Sequence, residues 1–92
     1  MVCFLQGYLQ HTFWLCKNEN TIMPSALAQL LKLRIEDIIE NTSGDKQFSF
    51  IGILAGRISD EYMKIDDIES MEIWNKVSQS GYDCWDYVGK NN

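Results

Sequence analysis

A chain of 92 residues, 46% of them hydrophobic and only one a proline, holds enough apolar material for one small core and is too short for two domains. With 23% charged residues, three tryptophans and a net charge of −5 it does not have the composition of a disordered tail. No apolar run reaches the ~18–20 residues that a bilayer span requires, so no membrane partner is expected.

Residues 2–17 admit two readings. On a helix, Leu5, Leu9, Phe13 and Cys16 share one side and Gln6, Gln10 and His11 lie opposite, whereas Phe4, Tyr8, Thr12, Phe13 and Trp14 favour strand. Gly7 weakens both. The aromatics and threonine make extended structure the expectation and a helix the alternative. No basic start precedes this segment and no small-residue cleavage site follows it, so it reads as part of the fold rather than as a targeting peptide. Asn18-Glu19-Asn20 predicts a turn.

Pro24 to Glu40 predicts a helix. Pro24 suits a first helical turn, and Leu27, Leu30, Leu31, Ile35, Ile38 and Ile39 recur at helical spacing. A break near Leu33-Arg34 would split it into two short helices. Asn41 to Asp45 forms the following loop.

Gln47 to Ser59 predicts a strand, with Phe48 and Phe50 on one face and Ser49, Ile51 and Ile53 on the other, as for a central strand covered on both sides. Gly52 and Gly56 mark a bulge or turn within it. If residues 48–55 lie at an edge, they can pair across a homodimer.

A second helix begins near Asp66, which with Glu69 makes a capping-box-like start, and carries Ile68, Met71, Trp74 and Val77 at a spacing of three. Gly81 is placed to stop it, and the alternation from Tyr82 to Val88 predicts a short last strand. The sum is an α+β domain, two helices packed on a short sheet in the order β-α-β-α-β, with a mostly helical fold as the alternative.

Charge is unevenly distributed. Residues 1–59 hold five acids and five bases, whereas residues 60–86 hold eight acids against Lys64 and Lys76 and so carry −6. Tyr62, Trp74, Tyr82, Trp85 and Tyr87 lie among those acids, with core filling weighed more heavily for Trp74 than for Trp85. Such a stretch steers a basic partner and repels nucleic-acid phosphates, while its aromatics can anchor an interface. The plain alternative is a solvated helix face with carboxylates favoured near the helix start. The expected function is a small acidic protein-interaction module of the inhibitor, antitoxin, immunity or phage counter-defence kind. Its binding residues would be Asp66, Asp67, Glu69, Glu72, Asp83, Trp85 and Asp86, set against a basic macromolecular surface.

Signals for catalysis are absent. His11 is the lone histidine, its spacing to Cys16 repeats nowhere, and neither a nucleophile elbow nor a phosphate-binding glycine motif occurs. No enzyme, metal or cofactor is therefore expected. Asp83 and Asp86 flank Trp85, which leaves a small ligand-binding domain as an alternative function. Cys3, Cys16 and Cys84 form an odd set without a CxxC pair, which predicts reduced, buried thiols and a cytoplasmic protein.

Two short stretches resemble known families. Residues 24–39, Pro-Ser-Ala-Leu-Ala-Gln-Leu-Leu-Lys-Leu-Arg-Ile-Glu-Asp-Ile-Ile, resemble the closing helices of Cro/repressor-type helix-turn-helix domains over less than a fifth of the chain. That resemblance implies a transcription regulator touching duplex DNA through Lys32 and Arg34, although no recognition helix with clustered bases lies upstream. Residues 52–61, Gly-Ile-Leu-Ala-Gly-Arg-Ile-Ser-Asp-Glu, are similar to a stretch in the toxin-neutralising tails of some bacterial antitoxins, but here some thirty residues follow.

Overall fold

The computed structural model describes residues 2–19, 22–42 and 44–91, and these form four helices: α1 (Val2–Glu19), α2 (Ala26–Asn41), α3 (Lys46–Met63) and α4 (Ile68–Asn91). No strand occurs among the described residues. The α+β expectation is thus overturned, and the chain adopts the helical alternative. At 24 residues α4 is about 36 Å long, which accounts for most of the 40 Å long dimension of the molecule.

The physical reason for the correction is clearest in α3. Gln47, Phe48, Ile51, Ala55, Ile58 and Tyr62 are buried on one side of it, while Phe50 and Ile53 are about half exposed on the other. Apolar residues on both sides hide the helical period and imitate a strand covered on each face. A dimer edge at residues 48–55 is excluded, because these backbone groups are already bonded within a helix and Phe48, Ile51, Gly52 and Ala55 are buried. In α1, Leu9, Phe13 and Cys16 turn inward with Leu5 partly buried beside them, which is the side that the helical alternative assigns. The segment Tyr82–Val88, expected as a strand, continues α4.

α3 occupies the centre, with α4 packed along one side, α2 along the other, and α1 lying mainly against α4. The α3–α4 contact is the closest because small residues meet there. A Cβ placed on Gly81 would stand 2.7 Å from the Phe48 carbonyl oxygen and 2.8 Å from the Gly52 nitrogen. Gly81 is therefore a helix-contact glycine, not the helix stop expected from its position. Gly52 and Gly56 face Ser78, whose hydroxyl donates to the Gly52 carbonyl at 2.6 Å, and Ser59 donates likewise to the Met71 carbonyl at 2.9 Å. Both hydroxyls satisfy themselves by stitching one helix to the other.

Polar contacts fix the remaining joints. The buried Gln47 amide donates to the carbonyls of Ile39 (3.3 Å) and Thr42, while its Oε1 accepts from Gln10 at 3.2 Å. One side chain thus ties the end of α2 and the middle of α1 to the start of α3. Lys17 and Glu36 add an α1–α2 ion pair at 2.5 Å. α2 starts at Ser25, whose hydroxyl accepts from the Ala28 N–H at 3.1 Å. Pro24 precedes the cap instead of occupying the first helical position. α2 then runs unbroken through Leu33-Arg34, so the residues that resemble helix-turn-helix closing helices form one helix, not a pair. The antitoxin-like stretch 52–61 lies inside α3, with Ala55, Ile58, Ser59 and Glu61 buried, and is not a free tail.

Candidate functional site

The expected binding residues separate into three places. Asp66 and Asp67 lie in the α3–α4 turn. Asp66 takes a positive φ of 59°, and Asp67, not Asp66, caps α4: its Oδ1 accepts from the Ser70 N–H at 3.1 Å and its carbonyl from the Met71 N–H at 3.0 Å. Asp67 thus has a structural task that accounts for its presence, and Glu69 does not complete the box.

Glu69, Glu72, Asp83 and Asp86 are all exposed and share the side of α4 that faces away from the core residues Trp74, Val77, Cys84 and Val88. From Glu69 to Asp86 the row runs about 26 Å along the helix. Lys76 and Lys90 stand on the same side. Lys90 pairs with Asp86 at 3.0 Å, and the Gln79 amide donates to Asp83 at 3.0 Å. The other ion pairs among the described residues are Lys17–Glu36, Arg34–Asp37 and Lys64–Glu61, so no base from the first half neutralises the row.

Trp85 is 51% exposed but projects from a different side of α4, where it borders an open depression with Asp86, Gly89 and Lys90. Asp83 instead borders a groove of about 380 Å³ between α1 and α4, whose apolar walls include Phe4, Tyr8 and Tyr87. Asp83 and Trp85 do not share a cleft, and the enclosed pocket expected beside Trp85 is not formed. Of the aromatics in the acidic stretch, Trp74 and Tyr62 are core residues, while Tyr82, Trp85 and Tyr87 reach solvent.

The groove aromatics Phe4 and Tyr8 are not among the expected site residues. Their signal exists only on a helical reading, in which they share a side opposite Leu9 and Phe13.

Glu61, the one buried carboxylate among the described residues, sits apart from the row. Its Oε2 accepts from Lys64 at 2.5 Å and its Oε1 from the Ser25 hydroxyl at 2.8 Å. Lys64 and then Ser25 hold its carboxyl below the ordinary value of 4.5. One Ser25 hydroxyl consequently caps α2 by accepting from Ala28 and anchors it to α3 by donating to Glu61. The Ser25→Ala variant should lose about 1 kcal/mol in urea unfolding at neutral pH, since the cap and the Glu61 contact go together. A lowered folded-state pKa gives stability that is complete above 4.5 and is lost as pH falls through the lowered value, so the difference between wild type and S25A should narrow towards pH 3.

Cys16 and Cys84 are free and buried. Burial pushes the Cys16 thiol up to about 12, helped by Glu19, and raises Cys84 as well, with Asp83 adding to it. Both are unreactive thiols by this measure. The side chain of Cys3 lies outside the described residues. Among the described residues no group of three or more histidine, cysteine or carboxylate side chains is placed to hold a metal ion, and no helix is long and apolar enough to cross a membrane. No protein-family model, no curated protein and no solved structure matches this chain.

Proposed function

We propose that this protein is a macromolecule-binding module that docks a basic surface through the outer side of α4. The observation that carries the reading is the row Glu69, Glu72, Asp83 and Asp86, held exposed on one rigid helix and left unpaired by the bases of the first half. A helix fixes the spacing of such charges better than a loop does, so a partner with matching lysines or arginines gains orientation as well as attraction. The same carboxylates disfavour nucleic acid, whose phosphates they repel.

The test compares two variants of equal net charge. One neutralises the row (E69Q/E72Q/D83N/D86N); the other removes four exposed acids elsewhere (E19Q/E40Q/D45N/D60N). Association with a lysine-rich helical peptide is followed by stopped flow at about 50 mM and about 300 mM salt. The row variant should associate about tenfold more slowly at low salt, and the control should stay within about twofold of wild type. Equal slowing in both variants would reduce the effect to net charge and overturn the proposal.

A further inference from the structure

Residues 2–16 contain no aspartate, glutamate, lysine or arginine. The outward side of α1 is accordingly free of these charges as far as Lys17, whereas α2, α3 and α4 all carry charged residues along their length. With Leu9, Phe13 and Cys16 already spent on the core, α1 presents a second apolar stripe to solvent: Phe4 is 74% exposed, Tyr8 53% and Leu15 51%, with His11 between them. With the neighbouring Tyr87, 43% exposed, the patch amounts to roughly 400 Å². That is about half of the ~800 Å² per partner of a standard interface, the scale of a weak contact.

Two features point to a second copy as the occupant. First, the chain carries −5, and in a two-fold contact each patch meets itself. The acidic row on α4 would repel its own image; the charge-free side of α1 would not. Second, positions 4, 8, 11 and 15 step by four, three and four, the spacing of a helix–helix seam, and they are symmetric about the point between Leu9 and Gln10. Two α1 helices laid antiparallel about an axis there place Phe4 on Leu15 of the second copy, and Tyr8 on its His11, twice over.

We propose that α1 is a self-association surface, pairing two copies antiparallel through Phe4, Tyr8, His11 and Leu15. The modest area makes it a weak dimer that forms in the micromolar range. This pairing does not rest on the function proposed for α4, although Asp83 of the acidic row borders the same groove as Phe4 and Tyr8.

Sedimentation equilibrium of the full chain from about 1 μM to about 1 mM reads it directly. Wild type should pass from one to two chain masses across that range. F4E/L15E places like charges opposite each other and should weaken the dimer at least about 100-fold. F4E/L15K sets an acid of one copy opposite a base of the other only in the antiparallel register; it should pair more tightly than F4E/L15E and respond to salt. All substituted side chains are exposed, and circular dichroism checks that the helices persist. A wild type that stays monomeric to about 1 mM, or an F4E/L15E variant that dimerises like wild type, overturns the surface. An F4E/L15K variant no tighter than F4E/L15E overturns the antiparallel pairing.

Discussion

Replacing Gly81 with alanine should destabilise the protein by about 3 kcal/mol or more, the largest effect expected of a glycine-to-alanine change at any of the six glycines. The added Cβ would meet backbone atoms at 2.7, 2.8 and 2.9 Å, namely the Phe48 carbonyl oxygen and the nitrogen and Cα of Gly52. A flexible side chain can step aside from such a clash, whereas helix backbone cannot without separating α3 from α4 along the whole seam. Separation would also stretch the buried Ser78–Gly52 hydrogen bond of 2.6 Å. For a domain of this size the loss corresponds to a fall in Tm of about 12–24 °C, readable by calorimetry. Gly89→Ala is the control on the same helix: its Cβ meets nothing within 4 Å, so helix propensity alone acts, and stability should rise by about 0.5–1 kcal/mol.

The second large effect is at Trp74, which is fully buried and meets Phe13 edge to face at 5.9 Å between ring centres. Through this contact α1 is held against α4, so truncation opens a cavity at the joint between the two. Trp74→Ala should cost about 3–5 kcal/mol. Trp74→Phe should cost less than about 1.5 kcal/mol, because the indole N–H has no protein acceptor in its buried site and its removal relieves a desolvated donor. Burial also raises the pKa of the nearby Tyr62 hydroxyl, which donates to the Ile22 carbonyl at 2.9 Å. Urea unfolding of the two variants separates the cavity from the orphaned donor: similar losses in both would make the indole N–H a stabilising group, contrary to this expectation.

These two positions also mark where sequence reasoning succeeds and where it stops. Trp74 is legible: with Val77 and the partly buried Met71 it lies at helical spacing, and the structure buries it at the centre. The existence of α2 is equally legible from Leu31, Ile35 and Ile38 at helical spacing, but its inner side is less so: Leu27 and Leu30, expected with them, are exposed, and Ala28 is buried instead. Gly81 is not legible, because a glycine that ends a helix and one that lets two helices touch look the same in one dimension. Only the partner backbone of Phe48 and Gly52, more than twenty-five residues away in sequence, distinguishes them. α1 and α3 fail for a common reason. Each has apolar residues on its outer side as well as its inner one, and that excess, Phe4, Tyr8 and Leu15 on α1 and Phe50 and Ile53 on α3, erases amphipathic contrast.

The acidic stretch is visible in the sequence as a charge count, but its geometry is not. Helical spacing gathers Glu69, Glu72, Asp83 and Asp86 on one side, assigns Asp67 to a cap, and turns Trp85 away from Asp83. Aromatic and acid therefore meet in two separate places, the α1–α4 groove that Tyr87 and Asp83 share with Phe4 and Tyr8, and the open depression that Trp85 shares with Asp86.

The docking role proposed for α4 is tested most directly by nitrogen-15 NMR titration of the full chain with a lysine-rich helical peptide at low salt. Amide shifts that centre on residues 69–86 and collapse in the E69Q/E72Q/D83N/D86N variant are the predicted result. Shifts that centre on α2 and α3, or that persist unchanged in that variant, would contradict it.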